Sequence, residues 1–217
     1  MKIAILGGTG KQGPGLALRW AMAGEEVIIG SRTQERAEKM ASELNAQLGD
    51  ARIRGMENPQ AAEAAETVVL TVPYTAHLST LESVKAQVQG KIFVDVSVPL
   101  DPENPRRMTM PPAGSATEEA QAFLGPATRV VAAFQTISAR SLRDPHHAID
   151  CDVLVCGDDA EAKKTVMHLV AQMGLHAYDA GPAESARVVE GLTSILIRLN
   201  IRHKVKESGI RLTGLPR

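Results

Sequence analysis

The apolar positions of this chain fall into short runs separated by amphipathic stretches. Lys2–Leu6 is an apolar run that stops at Gly7 and Gly8. Past Gly13 the apolar residues Leu16, Leu18, Trp20, Ala21 and Met22 take helical positions until Gly24, and Pro14 stands in the first turn, where its missing N–H costs little. The same reading predicts a strand over 26–30 and a helix rich in Ala, Glu and Lys over 33–48. Residues 67–72 are nearly all apolar, as a strand covered on both faces of a parallel sheet requires. A helix over 76–88 and a strand over 91–96 follow, then strands over 130–134, 152–156 and 176–179, with a helix over 161–173 between the last two. A final helix is predicted over 183–206. Strands alternating with helices predict an α/β fold built on a doubly wound, mostly parallel sheet with a C-terminal helical extension.

Composition narrows what such a fold can do. At 217 residues the chain supports one sizeable core with a small appendage, not two full domains. With 24 basic and 25 acidic residues it is close to neutral, which excludes a protein that grips a phosphate backbone along its length. Aromatic residues make up only 3%, too few for a platform that stacks single-stranded bases, so no nucleic-acid partner is expected. No membrane partner is expected either, because the most apolar late stretch, 191–201, carries Arg198 and Asn200. Two cysteines, Cys151 and Cys156, make no disulfide framework and lack zinc-ligand spacing, so a cytoplasmic protein without a metal is expected. The pattern breaks at 99–114, which holds five of the 12 prolines together with Arg106 and Arg107. It reads as a loop, either a binding loop or a surface excursion.

The chemistry lies first in Gly8, Gly10 and Gly13, a Gly-x-Gly-x-x-Gly motif with a strand before it and a helix after it. Gly8 suits a tight turn, Gly10 lets backbone approach a pyrophosphate, and Gly13 permits close packing of helix on strand. The helix end offers N–H groups and a positive dipole to phosphates. The fold is therefore Rossmann-type, and residues 1–181 form the nucleotide-binding domain. At the end of the second strand, where an NAD site usually has a carboxylate, the chain has Ser31, Arg32 and Thr33. Arg32, with Arg36 one turn on, suits a 2′-phosphate, so NADP(H) is expected rather than NAD. Three more strand ends, at Val72 and Pro73, at Ser97 and Val98, and at Ala133 to Thr136, would line the crevice with an apolar ledge for a nicotinamide. His77 stands near that crevice, as a core histidine or a functional one. The apolar face of the last helix, Val188, Val189, Leu192, Ile195, Leu196 and Leu199, either packs on the sheet or pairs two copies in a homodimer.

These residues carry a family resemblance. The opening ten residues, Gly15 to Arg19, Ile29 to Arg32, Val69 to Pro73, Val155 to Asp159, Asp179 to Pro182 and Ser185 to Glu190 resemble the NADPH-dependent reductases of the deazaflavin coenzyme F420. The resemblance covers nearly the whole chain. It implies reversible hydride transfer between NADP(H) and the deazaflavin, which serves as the small-molecule co-substrate. The nucleotide contacts it implies are Thr9, Gly10, Lys11, Gln12, Ser31, Arg32, Arg36, Val72, Val98 and Ala133. The family pattern has a His-Thr-Ile-type stretch where this chain has Gln135, Thr136 and Ile137. Gln135 is then a candidate to stabilise charge on the acceptor, and Tyr74 and Phe134 are the aromatics expected to touch it. Because the two cofactors carry the chemistry, no essential acid or base is expected. Residues 182–217 would contribute to the acceptor site and a dimer contact. Other readings are an NADPH-dependent reductase of another small acceptor (an imine, a flavin or a ferric chelate) and an NADP-binding sensor without turnover.

Overall fold

In a computed structural model that describes residues 1–216, eight strands form one sheet. They are β1 (Lys2–Leu6), β2 (Glu26–Ser31), β3 (Ile53–Glu57), β4 (Thr67–Leu70), β5 (Ile92–Asp95), β6 (Arg129–Ala132), β7 (Asp152–Gly157) and β8 (His176–Asp179). The helices are α1 (Gly13–Met22), α2 (Gln34–Leu48), α3 (Asn58–Ala64), α4 (His77–Val84), α5 (Ala116–Leu124), α6 (Ala139–Arg143), α7 (Ala160–Gln172) and α8 (Ala186–His203). The sheet order is β3-β2-β1-β4-β5-β6-β7-β8. Neighbours run parallel except β6 and β7, which meet antiparallel at Val131 with Gly157 and Ala132 with Cys156. The order reverses between β1 and β4, so the carboxyl ends of these two strands open a crevice.

Alternation along each strand splits the core into two layers. Ile3 and Ile5 of β1 join Leu16 and Trp20 of α1, Ala37 of α2 and Leu169 of α7 on one face. Ala4 and Leu6 join Ala61 of α3, Leu81 of α4 and Ala120 of α5 on the other. Close approach of α1 to α6 depends on Gly15, where an added Cβ would lie 2.6 Å from the Cβ of Leu142. Arg19, one turn along, is buried and donates to the carbonyls of Ser141, Leu142, Asp144 and His147, which satisfies the end of α6. The last helix docks through Ala186 and Val189 against Ala132 and Cys156.

The sequence pattern misses β3, α3, α5 and α6. In β3 only Ile53 is buried, so this edge strand carries almost no apolar signal. The strands predicted over 67–72 and 130–134 end earlier, at Leu70 and Ala132. Beyond Ala132 the backbone turns, with Phe134 at φ 71°. The helix predicted over 76–88 is a 3-10 turn, Tyr74–Ala76, followed by α4. The final helix begins with another such turn, Ala183–Ser185, and ends at His203.

Candidate nucleotide and acceptor site

The glycine loop joins β1 to α1 at the reversal of strand order. The left-handed turn falls on Gly7, at φ 67°, and not on Gly8. Gly8 is needed for space, since an added Cβ would meet the carbonyl of Ile5 at 2.7 Å. Its N–H is turned inward to the carbonyls of Ile5 and Gly30. Gly13 packs on Gly8, with 2.6 Å from an added Cβ to the Cα of Gly8. At Gly10 an added Cβ would meet the carbonyl of Gly7 at 3.1 Å and that of Thr71 at 3.7 Å. No side chain caps the first turn of α1, and no acidic residue stands in it. That turn is therefore suited to an anion.

A cleft of about 320 Å³ runs from Gly7, Thr9 and Gly10 past Ser31, Arg32 and Arg36 to Val72 and Pro73. Its lining includes two cations and no carboxylate. Ser31 is buried, while Arg32 and Arg36 are exposed at its rim. Thr33, the extended residue before α2, leaves the start of that helix without a side-chain cap. An uncapped glycine loop at one end and an arginine pair at the other fit the pyrophosphate and 2′-phosphate of NADP. Lys11 is exposed beside the loop. Asn58, at the start of α3, also lines the cleft and accepts the N–H of Gly7 at 3.3 Å. Sequence reading missed Asn58 because β3 before it was not recognised. The Asn-Pro pair at 58 and 59 was the only signal of a helix start there.

The three strand ends meet as expected, with a smaller ledge. Val72 and Val98 are half-buried and Pro73 is exposed, but Ala133 is fully buried in the core. Phe134 is not placed to touch an acceptor. It is 2% exposed and packs edge-on against Trp20, with ring centroids 5.8 Å apart. The side chain of Gln12 donates to the carbonyl of Phe134 at 2.9 Å and so ties the glycine loop to the end of β6. Gln135 is 5% exposed, with Nε2 donating to the carbonyl of Asp95 at 2.8 Å. Its Oε1 is buried without a hydrogen-bond partner, so its free polar atom is an acceptor and not the donor that a developing negative charge would need.

Behind the ledge lies a buried polar cluster that the sequence indicated only through His77. His77 Nε2 lies 2.6 Å from Asp95 Oδ2, and Nδ1 lies 3.1 Å from Glu119 Oε2. Burial alone would lower the imidazole pKa, but the facing charges of Asp95 and Glu119 outweigh it and hold it above the ordinary value. Tyr74 donates its hydroxyl to Glu119 Oε2 at 3.0 Å. Burial and that carboxylate keep the phenol protonated. Glu190 of α8 is fully buried and accepts the N–H groups of Ala116 and Thr117 and the hydroxyl of Thr117. Burial pushes its carboxyl up to about 7, although these hydrogen bonds oppose the shift.

Among the described residues, no group of histidines, cysteines and carboxylates is arranged to hold a metal, and both cysteines are free and buried. No helix there is long and apolar enough to cross a membrane. The family described as NADP oxidoreductase, coenzyme F420-dependent, matches residues 2–99. An F420-dependent NADP reductase of Methanocaldococcus jannaschii is 47% identical, over 99% of this chain and 99% of that protein. One from Methanothermobacter thermautotrophicus is 46% identical, over 100% of this chain and 96% of its own. A crystal structure of a candidate F420-dependent NADP reductase from Arthrobacter sp. FB24 superposes with a TM-score of 0.84 at 30% identity, covering 98% of this chain and 99% of that one. With its glycine loop, arginine pair and strand-end crevice in one continuous fold, this chain belongs to the F420-dependent NADP reductase family.

Proposed function

We propose that this protein transfers a hydride between NADP(H) and coenzyme F420. The observation that carries the reading is the cleft at the strand reversal. It joins an uncapped glycine loop to an arginine pair with no carboxylate between them. The nicotinamide supplies the hydride chemistry when bound. The chain's own part is to hold and orient. The glycine loop and the start of α1 hold the pyrophosphate, and Ser31, Arg32 and Arg36 hold the 2′-phosphate. Val72, Pro73 and Val98 offer an apolar surface at the strand ends, which keeps water from the reacting face. No side chain is assigned as acid or base. Residues 1–181 bind the nucleotide, and residues 182–217 frame the acceptor side. Arg106 and Arg107 place exposed charge on the proline-rich loop, which Arg198 of α8 holds by donating to the carbonyl of Arg106.

The protein is further proposed to be a cytoplasmic homodimer. Support for the dimer comes from α8, where Val188, Ile195 and Leu199 are 69%, 50% and 40% exposed while Val189 and Leu196 point inward. The reaction is tested by mixing pure protein with NADP and reduced F420 and following absorbance, with free flavin and a ferric chelate in parallel. Turnover with F420 far above both alternatives is expected. Turnover only with flavin or chelate, or binding of NADPH without oxidation by any acceptor, would refute the reading.

A further inference from the structure

Both ring nitrogens of His77 face carboxylate oxygens. A neutral imidazole carries one N–H, so its other nitrogen would set a lone pair against an anion. With both carboxyls ionised, only the doubly protonated ring satisfies both contacts, and His77 is fully buried, so water does not substitute for either. The cluster reaches all three strand ends through Asp95. Asp95 Oδ1 accepts the N–H of Ser97 at 2.9 Å, which fixes the approach to Val98. The carbonyl of Asp95 accepts Gln135 Nε2, which fixes the end of β6. The other nitrogen of His77 holds Glu119, which Tyr74 meets from the end of β4 just after Pro73. The hydroxyl of Ser97 lies 3.4 Å from the carbonyl of Val72 and closes the circuit.

We propose that His77 is a positioning residue, an imidazolium that locks the β4, β5 and β6 ends into the surface that receives the nicotinamide half of NADP(H). It touches no ligand and acts through Asp95 and Glu119. The groups that face it are Asp95 from β5, Glu119 from α5 and the phenol of Tyr74. Glu190 of α8 is the next carboxylate, with a field that reaches Asp95. This inference rests on the nucleotide half of the proposed function and not on the identity of the acceptor.

The test compares two ligands by calorimetry across pH 6 to about 10: NADPH, and adenosine 2′,5′-bisphosphate, which lacks the nicotinamide. In the wild type, rising pH removes the proton from His77, so NADPH should weaken relative to the fragment on the alkaline side. His77→Gln, which keeps one donor, should weaken NADPH about tenfold, the weight of one hydrogen bond, and leave the fragment unchanged. Glu119→Gln removes one of the two anions, so the alkaline loss should move to lower pH by about one unit. A merely structural His77 would weaken both ligands alike. Equal loss of both ligands in His77→Gln, or an NADPH-to-fragment ratio that is flat with pH in wild type and Glu119→Gln alike, overturns the proposal. Because both ligands are read by binding, failure of F420 turnover leaves this test standing.

Discussion

Arg32 is the residue on which the proposed cofactor choice turns. It directly follows β2 in a cleft whose lining has no carboxylate, where its charge would face a bound 2′-phosphate. Arg32→Glu replaces attraction with repulsion. It should raise KM for NADPH by about two orders of magnitude and change KM for NADH by less than about threefold. Steady-state kinetics with both cofactors checks this. Glu190 gives a second expectation at the same scale. Its pKa is raised from 4.5 to about 7, so the folded state holds this proton more tightly than the unfolded chain does. Its stabilising contribution is complete below pH 4.5 and is lost as pH rises through about 7. Thermal melts should show Glu190→Gln gaining on wild type across that window, by on the order of 3 kcal/mol, and then levelling off. The place of Arg32 at the cleft rim is readable in the sequence because it lies close along the chain to the glycine motif that lines the same cleft. The Glu190 cap joins residues 73 positions apart, and the His77 contacts span 18 and 42. No local pattern signals such pairs.

At the scale of elements, legibility followed burial. The strands β1, β2 and β4 are buried almost throughout, and their apolar runs announced them. The edge strand β3 buries little, and α6 has five residues, so neither leaves a periodic trace. Phe134 falls outside the site because β6 ends at Ala132, two residues short of the strand the sequence predicts. The backbone turns there and sends the ring inward to Trp20. The junction of α1 with α6 offers a test of packing. Gly15→Ala would force a Cβ within 2.6 Å of Leu142. It should cost about 1–3 kcal/mol, seen as a lower melting temperature, and weaken nucleotide binding only secondarily.

For the whole molecule, the exposed stripe on α8 has a direct test. Light scattering of the wild type should give twice the chain mass. Ile195→Glu, which places a charge at the centre of the stripe, should return the monomer with its fold intact by circular dichroism. A wild-type monomer would leave the stripe as bare surface. The antiparallel join of β6 and β7 shapes this face. β6 stops at Ala132, and β7 reaches it only with its last two residues. The first four residues of β7 therefore project past the end of β6, about 13 Å at strand rise. The sheet is stepped, and its last two strands, β7 and β8, extend beyond the end of β6 like a parapet. On that step α8 packs through Ala186 and Val189, and the Thr193 hydroxyl donates to the carbonyl of Gln135. One register offset thus raises a wall beside the crevice from the same sheet whose strand ends form it.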